Sequence, residues 1–264
     1  MRVGVITGTG TYALRGFGEA APEEVTTPYG TALVARGDIA GVEVLHLSRH
    51  GEGHRRLSNH VAHRANIAAL GQLGADAVLA VTVCGAVDPD GDLGSLIVFD
   101  DIHFLSNRLA DGSLCTFFTE PGEPRRGHWI FEQPFSEELR SALAAGAQAA
   151  GQPCRDGGCY GHVDGPRFNT RAEIRGLATC GVTAVSQTAA AEAVLCGEAE
   201  LPFALLGYAT DYANGVMAEA TPVERLLELI ERSTETFAST LAAALPRLAR
   251  ADPRPPGVVY RFDE

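Results

Sequence analysis

The six cysteines form no Cys-x-x-Cys pair, which excludes a zinc-ribbon spacing and a dense disulfide framework. Cys84, Cys115, Cys154, Cys159, Cys180 and Cys196 are scattered, and reduced thiols are expected. No stretch approaches the roughly 18–20 consecutive apolar residues needed by a membrane-spanning helix. The opening MRVGVITGTG lacks an apolar run closing on small residues, so it reads as a first strand rather than a secretion signal. A soluble, cytoplasmic protein is expected. Positive charge is also short, with 21 basic against 33 acidic residues and a formal net charge of −12. Such a chain repels a nucleic-acid backbone or an anionic membrane, so neither is expected as its main partner. A small anion would need a local cluster of donors working against the overall field. Finally, there is no GxSxG elbow, Walker loop, HExxH or cysteine–histidine signature, which lowers hydrolase, nucleotide-triphosphatase and zinc-protease readings.

What is present supports an α/β fold. A chain of 264 residues that is 45% hydrophobic can bury the core of one large domain, or of two small ones. Strand-like runs at residues 2–6, 42–47, 77–83, 184–186 and 203–210 alternate with helical stretches. Turn residues Pro28, Gly30, Gly37 and Gly41 add antiparallel strands between 27 and 47, giving a mixed sheet flanked by helices. Ser58 is placed to cap a helix that Gly74 stops. Thr170-Arg-Ala-Glu173 and Thr221-Pro-Val-Glu224 both have capping-box form. Residues 107–134 read as a long functional or interface loop. One domain over 1–250 is expected, followed by a tail, 251–264, rich in proline and charge and ordered against a neighbour.

Several motifs fall at predicted strand ends. Gly8-Thr9-Gly10 suits a tight turn or an anion loop; read through Ala13 it also fits a dinucleotide fingerprint, without the helix and acidic residue that fingerprint requires. Ser48-Arg49-His50-Gly51-Glu52-Gly53-His54 joins a guanidinium to an imidazole in a flexible loop. The histidines nearby raise a metal reading, but Gly51 and Gly53 oppose the helix that His50 and His54 would need, and no metal is expected. Thr82-Val83 ends a buried strand, and Ser186-Gln187-Thr188 leads into a helix whose N–H groups favour an anion, with Thr188 equally a plain N-cap. Asp164-Gly-Pro-Arg-Phe168-Asn169 offers a ring and an amide, and Thr210-Asp211-Tyr212-Ala213 offers a carboxylate; either also reads as an ordinary loop or turn.

In this order the motifs resemble the methylthioadenosine phosphorylase branch of the trimeric purine nucleoside phosphorylases, over residues 2–248. Its most specific elements are RHG-x-x-H, GPRF with T-R-A-E, E-A-x-L at Glu192 and TDY. The resemblance implies a single-domain nucleoside-phosphorylase fold and a phosphate site of Thr9, Arg49, His50, Thr82, the Val83 backbone and Thr188. It puts Phe168 against the purine, Asp211 on its imidazole-side nitrogen as the catalytic acid, and the Gln187 backbone at the ribose. His128 resembles a histidine lent by a neighbouring subunit to the 5′ end, implying a homotrimer or a dimer of trimers. No cofactor is implied beyond inorganic phosphate as co-substrate.

The chain departs from the pattern where the substrate is chosen. Ala213 stands where a second aspartate is usual, Asn169 replaces a small hydroxyl residue, and Gln187 replaces a methionine. An ionised Asp211 favours a 6-amino base such as that of 5′-methylthioadenosine, whereas Ala213 and the donor on Asn169 favour a 6-oxo base such as that of 5′-methylthioinosine. The sequence preference is for the 6-amino base. Val223 falls where the methylthio branch has an aliphatic residue, so an apolar 5′ group is expected. A nucleoside-binding protein without activity is the alternative of another class.

Overall fold

The structure is a computed structural model that describes residues 1–11 and 21–262. In chain order its elements are β1 (Arg2–Thr7), β2 (Glu23–Thr27), β3 (Gly30–Ile39), β4 (Val42–Ser48), α1 (His63–Gln72), β5 (Ala77–Ala86), β6 (Leu96–Val98), β7 (Asp101–His103), β8 (Gly127–Ile130), α2 (Glu137–Ala149), β9 (Cys154–Asp156), β10 (Cys159–His162), α3 (Arg171–Thr179), β11 (Val182–Ser186), α4 (Ala189–Glu198), β12 (Phe203–Tyr212), α5 (Val223–Leu248) and β13 (Val258–Arg261). The class is α/β, a large mixed sheet between helices, as the alternation of apolar runs implies.

Period-two alternation decides which helices cover which face. On β5, Val78 and Ala80 pack with Ile67 and Leu70 of α1, whereas Leu79 and Val81 pack with Leu139 and Leu143 of α2 and with Phe237 and Leu241 of α5. Both faces are therefore dry, and β5 reads as a continuous apolar run rather than an alternating one. β1 lies between β4 and β5, all parallel, and β12 runs parallel on the far side of β5. At Gly85 and Ala86, beyond its pairing with β1, β5 takes β11 as an antiparallel partner. That fork brings the carboxyl ends of five strands together, the position where open α/β sheets bind ligands. On β12 the register with β5 slips between Ala209 and Asp211, so Thr210 is a bulged extra residue that re-aims the side chains after it.

Local capping departs from the sequence expectation in two of three places. Thr170 forms a complete capping box with Glu173 at the start of α3. Ser58, by contrast, opens a one-turn 3-10 helix while α1 begins only at His63; its hydroxyl donates to Gln187 Oε1 at 2.8 Å and so does not cap. Thr221 is likewise diverted: its Oγ1 accepts the Tyr212 N–H at 3.0 Å, and α5 starts from Pro222 without a side-chain cap. The loop at 107–134 contains β8, too short to show a period, and the tail strand β13 pairs with it antiparallel, Tyr260 opposite His128. The tail is thus held by its own chain. Among the described residues no helix is long and apolar enough to cross a membrane.

Gly146 of α2 sits where α2 meets α5. A Cβ there would lie 2.8 Å from both the Ala244 Cβ and the Thr240 carbonyl oxygen. Gly146→Ala is therefore expected to destabilise the fold by about 1–2 kcal/mol, the overpacking cost outweighing the gain in helix propensity. The urea midpoint measures it.

Candidate active site

Arg49 follows β4 and is fully enclosed, 1% exposed. Its Nε and Nη2 donate to the two carboxylate oxygens of Glu192, itself 0% exposed, at 2.6 and 2.9 Å, and its Nη1 donates to the Val81 carbonyl at 2.8 Å. A guanidinium has five N–H groups. Three are taken among the described residues, leaving one N–H on each terminal nitrogen for an anion in the cavity. Gly8 is glycine because a Cβ there would come within 2.3 Å of Arg49 Nη1.

His50 turns its Nδ1 to the Arg56 carbonyl at 2.8 Å, and its ring stacks on His54 at 4.2 Å. Burial first, then the adjacent Arg49 charge, lowers its pKa to about 4. The neutral ring therefore carries its proton on Nδ1, because a carbonyl only accepts, and Nε2 is an acceptor. Thr82 Oγ1 donates to the Val83 carbonyl at 3.1 Å and lies 3.1 Å from Ser186 Oγ. The buried Thr188 is the N-cap residue of α4, yet its side chain makes no capping bond.

Asp211 follows the bulge on β12. Burial raises the pKa of its carboxyl, and Thr210 Oγ1 donates to Oδ1 at 2.9 Å. Gly85 faces it, since a Cβ there would be 3.3 Å from Asp211 Oδ2. Thr82 and Gly85 are three extended residues apart, so Thr82 and Asp211 mark points separated by about 10 Å along β5.

All of this encloses one cavity of about 300 Å³, within the small-molecule range. Thr9, Arg49, His50, Thr82, Val83 and Thr188 line it, as do Phe168, Asn169, Gln187, Asp211 and Ala213. Val223 and His128 do not. Val223 is 64% exposed at the first turn of α5, which sends Leu226 and Ile230 to the wall in its place. His128 is exposed on β8, its ring 5.4 Å from that of Phe262. The Gln187 amide joins Ser58 Oγ to the Arg167 carbonyl, donating to the latter at 3.1 Å, and so braces the wall. Among the described residues no group of three or more histidine, cysteine, aspartate or glutamate side chains converges on a possible metal position. The dinucleotide reading ends at Ala13, which lies outside the described residues; Gly10 itself is held by Thr234 of α5, whose Oγ1 donates to its carbonyl at 2.7 Å.

The family model described as "Phosphorylase superfamily" matches residues 2–249. The chain belongs to that superfamily. It is 31% identical to the 6-oxopurine nucleoside phosphorylase of Pyrococcus furiosus, over 94% of each chain. It is 35% identical to a probable S-methyl-5′-thioinosine phosphorylase of Pseudomonas syringae pv. tomato, over 91% of this chain and 97% of the relative. Among solved structures, the methylthioadenosine phosphorylase of Schistosoma mansoni in complex with adenine superposes with a TM-score of 0.83 at 26% identity, over 96% of this chain and 93% of that one.

Sequence reasoning missed Leu226 and Ile230, although their four-residue spacing on an amphipathic helix is a usable signal. It also noted Glu192 without a role. Only the fold shows that this carboxylate meets Arg49.

Glu192→Ala would leave a buried guanidinium without its counter-charge, and a loss of about 3–5 kcal/mol is expected, read by chemical denaturation. Acid should also weaken the fold. Burial is the leading cause that lowers His46, His50 and His162 to about 4 and His63 to about 3, from 6.5. Below pH 6.5 the unfolded chain then binds more protons than the native one, so this stability is complete above 6.5 and lost as pH falls toward 4 and 3. Asp211 and Glu198, raised by burial, act in the opposite sense. With four groups against two, the urea midpoint is expected to fall between pH 7 and pH 4.5.

Proposed function

We propose that the chain cleaves the N-glycosidic bond of a purine nucleoside by phosphorolysis, with inorganic phosphate as co-substrate and no cofactor. The observation that carries this reading is one cavity lined by the Arg49 guanidinium, with an N–H left on each terminal nitrogen, toward one end and by a buried carboxyl, Asp211, toward the other. Phosphate held by Arg49, Thr9, Thr82, the Val83 backbone and Thr188, with its own P–O–H donating to the acceptor Nε2 of His50, attacks the anomeric carbon. The bond from that carbon to the base breaks as the bond to a phosphate oxygen forms. Positive charge on the sugar is stabilised by the phosphate beside it, and the departing purine takes a proton from Asp211. Phe168 lies along the base and the Gln187 backbone along the ribose. The products are free purine and a pentose 1-phosphate.

Two observations bear on the base. The preference for 6-amino rests on an ionised Asp211, and burial, which raises the pKa of that carboxyl, weakens this preference. Ala213 offers the cavity only a methyl group, whereas the Asn169 amide offers a donor. Together with the likeness to 6-oxopurine and methylthioinosine phosphorylases, these favour a 6-oxopurine. The likeness to a methylthioadenosine phosphorylase supports the 6-amino reading as the second. Leu226 and Ile230, which take the place of Val223 on the wall, support an apolar 5′ group such as methylthio. We assign a cytoplasmic role in purine salvage to a homotrimer or dimer of trimers, in which residues 1–250 form the catalytic domain and His128 of one subunit serves its neighbour.

Incubation with 5′-methylthioinosine, inosine, 5′-methylthioadenosine and adenosine, with and without phosphate, tests the proposal. Phosphate-dependent release of hypoxanthine, fastest from the methylthio nucleoside, is expected. Faster release of adenine would select the second reading, and absence of release from every nucleoside would reject phosphorolysis. Asp211→Asn is expected to lower kcat by about 10²-fold or more. Steady-state kinetics at saturating phosphate would show it.

A further inference from the structure

One buried residue touches the phosphate end without lining the cavity. Tyr160 of β10 is 0% exposed. Its hydroxyl accepts the backbone N–H of Thr188 at 3.3 Å and of Ala189 at 3.1 Å. These are the first N–H groups of α4, which a helix leaves without intrahelical partners. An N-cap threonine ordinarily turns its own hydroxyl back onto its helix. Here Thr188 holds φ −141° and ψ −40° and makes no such bond. Its hydroxyl is left for the cavity that it lines.

We propose that Tyr160 is a positioning residue for the phosphate end of the cavity, holding the Thr188 backbone so that the Thr188 hydroxyl faces the bound oxyanion. The proposal rests on the phosphorolysis reading. It differs from it in assigning a role to a side chain that touches no substrate.

The test is Tyr160→Phe, which keeps the ring packed edge-on against Phe99 and removes one oxygen. Titration calorimetry with inorganic phosphate alone is expected to show about 10-fold weaker binding than the unmodified chain, the scale of one or two lost hydrogen bonds. In kinetics the phosphate KM should rise by a similar factor, while the nucleoside KM stays within about twofold. The pair with Thr188→Val should be non-additive, the double variant binding phosphate about as weakly as Thr188→Val alone. Unchanged phosphate affinity in Tyr160→Phe, a parallel rise in both KM values, or full additivity would overturn the proposal. If Tyr160→Phe does not fold, Thr188→Val carries the test, because unchanged phosphate affinity there would leave Tyr160 nothing to position. Failure of the unmodified chain to release any base would reject phosphorolysis separately, since the phosphate titration needs no turnover.

Discussion

The site is organised by a buried ion pair. Arg49 and Glu192 come from opposite parts of the chain and meet with both carboxylate oxygens engaged, out of water. Such a pair is costly to desolvate and stabilises only when its geometry is fully satisfied. The satisfaction here is broad: Val81 takes a third N–H, and Gly8 has no side chain so that the guanidinium can lie against it. β1, β4, β5 and α4 are therefore all referred to one rigid plane. Its charge is cancelled by Glu192, so what it offers an anion is the N–H left on each terminal nitrogen more than a net positive field. This reconciles an acidic chain with an anion site.

The scaffold was legible from the sequence where local physics decides it. The apolar runs that became β1, β4, β5, β11 and β12 are buried on both faces, and eleven residues singled out in the motifs line one cavity. What escaped was set by contacts distant in sequence. Ser58 and Thr221 have the right chemistry to cap a helix, but each found a partner elsewhere, Gln187 and the Tyr212 N–H, and a hydroxyl has only so many bonds to make. β6, β7 and β9 have three residues each, below the length at which a period can be seen. The wall formed by Leu226 and Ile230 was hidden because the same helix also carries core residues such as Leu229, and spacing alone does not separate the two faces.

The bulge at Thr210 shows how little backbone change a functional group can need. Side chains on a strand alternate in direction, so one extra residue reverses the side on which everything after it points. Thr210 is that residue, and its hydroxyl then holds the neighbouring carboxylate. Gly85 leaves the facing position on β5 free of a side chain. Asp211 is thus aimed by the sheet and kept in a poorly solvated place by the same few residues.

The ribbon of β8 and β13 joins segments about half the chain apart, Gly127–Ile130 and Val258–Arg261. During synthesis β8 emerges long before its only strand partner among the described residues exists. The segment bearing His128 must wait until residues 258–261 have been made. The sheet can assemble from the amino-terminal side as it is translated, whereas this outer piece closes last, by a non-local contact whose loop-closure cost falls after the core is already in place.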